Sequence, residues 1–92
     1  MNRTVLITGS TSGIGLGVAK EFAKAKYNIV FNGLEPNGQE IAEGVGKEFG
    51  VNVMFSPANM LKQEELEKMV NDAYTKFGSI DVLVCNAGIQ HV

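Results

Sequence analysis

The chain has 92 residues, which allows one domain at most. With 45% hydrophobic residues, 20% charged residues and a formal net charge of -2, it reads as a soluble globular chain without the basic patch that nucleic acid or an anionic membrane would require. The single cysteine, Cys85, excludes an intrachain disulfide, and the short apolar run at residues 5–7 is no signal peptide or membrane span, so a buried thiol in a reducing cytoplasm is expected.

In chain order, Thr4, Val5, Leu6, Ile7 and Thr8 are β-branched or apolar and stop at Gly9, which predicts a short strand buried on both faces. Ile14, Val18 and Phe22 recur every four residues, with Ala25 next on the same side, giving a helix with one apolar face. Residues 28–32 enclose Ile29, Val30 and Phe31, a second buried strand. Ile41, Val45 and Phe49 mark a second helix, ended by Gly50 at the usual left-handed stop. Residues 51–55 form a third strand, closed by Pro57. Leu66, Met69, Val70, Ala73 and Phe77 make the strongest helical stripe, ended by Gly78. Residues 80–85 are a fourth strand, followed by Asn86, Ala87 and Gly88.

The alternation of strands with long helices predicts an α/β fold with a parallel sheet and helices on both faces. Residues 34–38 read as a turn and not as a domain boundary. Two local weaknesses stand out. Lys26 occupies a helix-to-strand turn without glycine, and a left-handed conformation there costs about 1–2 kcal/mol. The third helix has Met60 or Leu61 where a Ser, Thr or Asp cap belongs, a loss of about 1 kcal/mol.

Between the first strand and the first helix lies Gly9-Ser10-Thr11-Ser12-Gly13-Ile14-Gly15. Gly9 permits a sharp turn off the strand, Gly13 lets the main chain approach a pyrophosphate, and Gly15 lets the helix pack close to the sheet. Free N–H groups and the positive end of the helix dipole favour an anion there. Ser10, Thr11 and Ser12 add hydroxyl donors. A strand before the loop and a helix after it fit a dinucleotide cradle better than an ordinary glycine turn.

Residues 8–15 (TGSTSGIG), with Asn86-Ala87-Gly88 (NAG) ending the fourth strand, resemble the short-chain dehydrogenase/reductase family, and the likeness runs along the whole chain. Within that family TGSTSGIGLG, FNGLEP and NAGIQHV look like the bacterial D-3-hydroxybutyrate dehydrogenases, cytoplasmic homotetramers that interconvert (R)-3-hydroxybutyrate and acetoacetate with NAD. The resemblance implies a Rossmann-type domain whose N-terminal part occupies residues 1–92, truncated to four strands in the order 3-2-1-4. It implies that residues 9–15 hold the cofactor's diphosphate and adenosine ribose, with a main-chain contact from Ile14. Gly33 and Leu34 would lie beside the ribose at the end of the second strand. Glu35 is either the acid that bonds the ribose 2'-hydroxyl or a solvated turn residue; with no Lys or Arg at residues 10–12 or 33–38, NAD is expected over NADP. Asn59 stands where the family has an Asp that accepts from adenine, and it is otherwise a polar residue at a helix entry. Asn86, Ala87 and Gly88 would line the nicotinamide-side ribose or form a plain strand-ending turn. Gln90 corresponds to a glutamine on the substrate carboxylate, and His91 reads as solvated. No metal is expected.

The family's chemistry uses Ser, Tyr and Lys, the last two as Tyr-x-x-x-Lys. Phe31 stands four residues after Tyr27, and Gly78 four after Tyr74, so both tyrosines read as packing residues at helix ends. No catalytic residue is assigned, and the chain alone is expected to be inactive, with the catalytic set beyond Val92. An open apolar edge at residues 82–84 suggests self-association or a complementary C-terminal half as partner. The competing readings are a fragment of an NADP-dependent 3-oxoacyl-carrier-protein reductase and a non-catalytic nucleotide-binding half-domain or split-gene relic.

Overall fold

The computed structural model describes residues 2–86. In order along the chain stand β1 (Thr4–Ile7), α1 (Gly13–Lys24), β2 (Asn28–Asn32), α2 (Gly38–Phe49), β3 (Val53–Ser56), α3 (Gln63–Phe77) and β4 (Val82–Val84). The strands form one four-stranded parallel sheet in the order β3-β2-β1-β4. This is the α/β class and strand order expected. β3 starts two residues later than the apolar run suggested, and β4 is trimmed at both ends.

Side-chain alternation along the strands divides the core between the two faces of the sheet. Val5, Ile7, Ile29 and Phe31 point to one face, where they meet Ala19 and Ala23 of α1 and Ala42 and Val45 of α2. Leu6 and Val30 point to the other, where they meet Met69 and Ala73 of α3. Two helices therefore cover one face and one helix covers the other. Leu83 of β4 pairs in register with Leu6, yet it is 61% exposed.

The α1 stripe is rotated from the expected one. Ile14 is 69% exposed, and the buried line is Gly15, Ala19 and Ala23, with Val18 and Phe22 only partly covered. The helix lies so close to the sheet that small residues hold the contact line, and larger ones flank it. Cys85 is exposed, not buried, since it follows the edge strand β4. Tyr27 packs edge-on against Phe22 with ring centroids 4.9 Å apart, as expected of a packing residue. Tyr74 does not pack; it is 51% exposed on the outer side of α3.

Gly50 and Gly78 end their helices in the left-handed conformation, with φ of 69° and 82°. Lys26 has φ of 68° and is the non-glycine residue in that region among those described. Its strain is offset in part by its ammonium group, which donates to the Phe49 carbonyl at the negative end of α2. The α3 N-cap is Lys62, without a side-chain cap bond. Instead the Glu65 carboxylate reaches back to accept the Asn59 N–H at 2.7 Å. Among the described residues no helix is long and apolar enough to cross a membrane.

Candidate functional site

The loops that leave the carboxyl ends of the strands converge at one end of the sheet, the usual place for a ligand in a parallel α/β fold. The β1–α1 loop forms the floor. Gly9 leaves β1 with φ of 61°, its N–H donates to Asn32 Oδ1 at 3.1 Å, and its carbonyl accepts from Asn86 Nδ2 at 3.0 Å. Ser10 is fully buried. Its hydroxyl donates to the Ile7 carbonyl at 2.7 Å and accepts from the Asn32 N–H at 2.9 Å, so this side chain is bonded to the ends of β1 and β2 and turned away from the surface of the loop. Thr11, also buried, and Ser12 both turn their hydroxyls to the Glu35 carboxylate.

Ser12 is the N-cap of α1 and makes no side-chain cap bond. The first N–H of the helix with a protein acceptor is that of Leu16, bonded to the Ser12 carbonyl at 3.2 Å. Among the described residues, the main-chain N–H groups of Thr11, Ser12, Gly13, Ile14 and Gly15 have no protein acceptor. The cradle of free amides foreseen at the start of α1 is therefore present. Gly13 adopts φ of 57°, and among the described residues nothing lies within 4 Å of where a Cβ would stand, so the surface above it is open to them. Gly15 is closed in, as a Cβ there would fall 2.0 Å from the Gly9 carbonyl oxygen and 2.6 Å from Asn86 Nδ2. Its small size serves contact with the loop and Asn86 more than with the sheet.

Asn32 holds these parts together, and sequence reasoning gave it no role. It is 2% exposed. Beyond its bond from Gly9, its Nδ2 donates to the Ser56 carbonyl at 3.2 Å and the Ala58 carbonyl at 3.0 Å. One carboxamide thus ties β2 to the glycine loop and to the β3–α3 loop. The available signal was a polar side chain closing a strand that is otherwise buried on both faces, where bonding partners are obligatory.

The walls come from the other loops. Gly33 lies directly under Thr11, with room for no Cβ, since one would stand 1.9 Å from Thr11 Oγ1. Leu34 is 71% exposed. The Glu35 carboxyl is held below the ordinary carboxylate range, first by the Thr11 hydroxyl, then by its own main-chain N–H, with smaller help from Ser12 and Leu34. Asn59 accepts the Leu61 N–H at its Oδ1, at 2.9 Å, and so shapes the turn into α3. Asn86 is buried; its N–H donates to Thr8 Oγ1 at 2.8 Å and its amide to Gly9, which fixes the end of β4 against the cradle. Ala87, Gly88 and Gln90 lie outside the described residues. A separate groove of about 590 Å³, lined by Met54, Pro57, Lys68 and Met69 among others, runs between β3 and α3 and includes no glycine-loop residue.

Comparison with known proteins agrees with this geometry. A family model described as short chain dehydrogenase matches residues 3–92. A D-beta-hydroxybutyrate dehydrogenase of Cupriavidus necator is 47% identical over 90 residues, covering 98% of this chain and 35% of the relative. A 3-oxoacyl-acyl-carrier-protein reductase of Staphylococcus epidermidis is 37% identical, covering 97% of this chain and 37% of the relative. The crystal structure of L-sorbose reductase from Gluconobacter frateurii, complexed with NADPH and L-sorbose, superposes with a TM-score of 0.90 at 35% identity, over 95% of this chain and 34% of that one. The chain thus spans about a third of the length of the relatives it matches.

Proposed function

The chain belongs to the short-chain dehydrogenase family, and from that premise we propose that it is the cofactor-binding part of an NAD-dependent oxidoreductase acting on (R)-3-hydroxybutyrate and acetoacetate. The observation that carries the cofactor reading is the row of unpartnered amides at residues 11–15, set at the positive end of α1 beneath the open surface of Gly13. Those amides would hold the diphosphate. Thr11, Ser12, Gly33 and Leu34 would border the adenosine ribose, and the loop at Asn59 the adenine. The bound nicotinamide would accept hydride from the alcohol carbon. Asn32 and Asn86 keep the amide row in place through their bonds to Gly9.

NAD is favoured over NADP by charge. Glu35 brings an anion to the ribose side, and no Lys or Arg stands at residues 10–12 or 33–38 to neutralise a 2'-phosphate. The substrate rests on the hydroxybutyrate dehydrogenase relative and its identity of 47%. Neither Tyr27 nor Tyr74 begins a Tyr-x-x-x-Lys motif, so the chain is assigned cofactor binding and no proton-transfer step. The proposed partner is a complementary C-terminal half that brings this motif, in the cytoplasm. Among the described residues β4 pairs with β1 alone and exposes Leu83, so self-association through this edge is the proposed alternative to pairing with that half. Leu83→Lys should then shift the chain toward monomer in light scattering, and an unchanged distribution counts against the edge.

Calorimetric titration tests the cofactor assignment. NAD and adenosine monophosphate should bind, NADP should bind at least about tenfold more weakly, a difference of one modest charge interaction, and hydroxybutyrate with NAD should yield no NADH from this chain alone. Equal or tighter binding of NADP would favour the second reading, a 3-oxoacyl-carrier-protein reductase. That reading draws on the reductase relative at 37% identity and on the NADPH in the sorbose reductase complex.

A further inference from the structure

One side of the amide cradle is flanked by the protein's own carboxylate. Glu35 reaches from the β2–α2 loop to the β1–α1 loop, where its two oxygens accept from Thr11 Oγ1 and, at 3.0 Å, from Ser12 Oγ. The reach depends on Gly33, because a Cβ there would stand 1.9 Å from Thr11 Oγ1 and 2.8 Å from Glu35 Oε1. Asn32, at the end of β2, is buried, with its Oδ1 on the Gly9 N–H and its Nδ2 on the Ser56 and Ala58 carbonyls, so its side chain is engaged inside the protein. The side chain of Glu35 therefore holds the two hydroxyls that border the free amides.

We propose that Glu35 is an internal competing anion that admits nucleotides to the cradle and keeps inorganic anions out. The inference rests on the nucleotide reading above. A free phosphate or pyrophosphate must take the Thr11 and Ser12 hydroxyls from Glu35 and leaves an ionised carboxylate facing it, with nothing given in exchange. A nucleotide brings the exchange with it. Its ribose diol donates to the displaced carboxylate while its phosphate takes the hydroxyls and amides, so Glu35 changes partners without losing them. Glu35 thus sets specificity for ribose-bearing ligands in addition to any repulsion of a 2'-phosphate.

Calorimetry on the full chain with pyrophosphate and with adenosine monophosphate separates contact from charge. Glu35→Gln removes the charge. Glu35→Asp keeps the charge but shortens the reach, so that it no longer spans both hydroxyls. Both variants should bind pyrophosphate about tenfold more tightly than the wild type, the equivalent of one charge-assisted hydrogen bond no longer in competition. Adenosine monophosphate should gain nothing in either variant, so its preference over pyrophosphate falls by the same factor. Unchanged pyrophosphate affinity in both variants overturns the proposal, and so does a gain in Glu35→Gln alone, which marks a plain field effect. If neither ligand binds any of the three proteins, the nucleotide reading fails and takes this inference with it. If adenosine monophosphate binds and pyrophosphate affinity does not move, only the gate fails.

Discussion

Replacing Gly15 with alanine tests whether the amide cradle is positioned by close packing behind it. An ideal Cβ at Gly15 falls 2.0 Å from the Gly9 oxygen, 2.6 Å from Asn86 Nδ2 and 2.9 Å from the Gly9 carbonyl carbon. Gly17, on the same helix, has nothing within 4 Å of its Cβ position among the described residues. Both substitutions gain the same helix propensity, about 1 kcal/mol. At Gly17 that gain stands alone, and Tm should rise by roughly 4–8 °C for a domain of this size. At Gly15 it is opposed by overpacking of about 1–3 kcal/mol and by loss of the Asn86–Gly9 bond, about 1 kcal/mol. Two of the three close atoms belong to the main chain and cannot swing aside, so the upper part of that range applies. The net is a loss of about 2–3 kcal/mol and a fall in Tm on the order of 10 °C or more. The displaced Gly9 carries the amide row with it, so NAD affinity should fall about tenfold or more in the Gly15 variant and stay unchanged in the Gly17 variant. Thermal melts by circular dichroism and NAD titration read both effects. A Gly15→Ala protein that melts with the wild type or above it, and binds NAD equally well, would refute the reasoning.

The remaining expectations are simpler. Asn32→Leu keeps the shape but orphans the Gly9 N–H and the Ala58 carbonyl and leaves the Ser56 carbonyl with its 3.4 Å bond from the Gly33 N–H, and should cost about 2 kcal/mol or more in urea unfolding; a loss below about 1 kcal/mol would deny Asn32 its bridging role. Lys26→Gly relieves a left-handed lysine at φ of 68°, a gain of about 1–2 kcal/mol, less up to about 1 kcal/mol for the bond to Phe49, so Tm should rise by a few degrees. Acid should destabilise the chain through Glu35 and Asp81, whose carboxyls are both held low, Glu35 chiefly by the Thr11 hydroxyl and Asp81 chiefly by the Thr4 N–H. The unfolded chain binds these protons first, so the stabilisation is complete above the ordinary carboxylate range and is lost as pH falls through the lowered folded values. Melting curves from about pH 6 to about pH 3 should show the Tm decline become shallower in both Glu35→Gln and Asp81→Asn; slopes equal to the wild type would contradict the assigned bonds.

The topology was legible because its signals are local. Apolar runs between polar breaks mark the strands, and Gly50 and Gly78 stand at left-handed helix ends that favour glycine. The left-handed Lys26 was legible for the same reason, since it sits in a short helix-to-strand turn without glycine. What the sequence left obscure depends on partners distant in the chain. Hydrophobicity pointed to Ile14, Val18 and Phe22 as the inner face of α1, but the packing behind the helix decides the phase: the sheet selects Ala19 and Ala23, and the Gly9 loop with Asn86 selects Gly15. Cys85 looked buried among apolar neighbours, yet burial at the end of β4 depends on what covers that strand.

The site shows the same division more sharply. The glycine spacing indicated where an anion could sit, because a helix start exposes its own amides whatever the rest of the fold does. What holds the amides still is not local. Asn86 reaches Gly9 across 77 positions in the chain, and Asn32 reaches it across 23. Two carboxamides from different strand ends grip one glycine, the first by its carbonyl and the second by its N–H. A carboxamide can donate to one loop and accept from another, as Asn32 does; a carboxylate of the same shape offers no donor. The acid commonly found at the end of the second strand is therefore incompatible with the bonds Asn32 makes to Ser56 and Ala58. A negative charge beside the glycine loop has to come from farther along the chain, and Gly33 makes the space that lets Glu35 reach Thr11 and provide it.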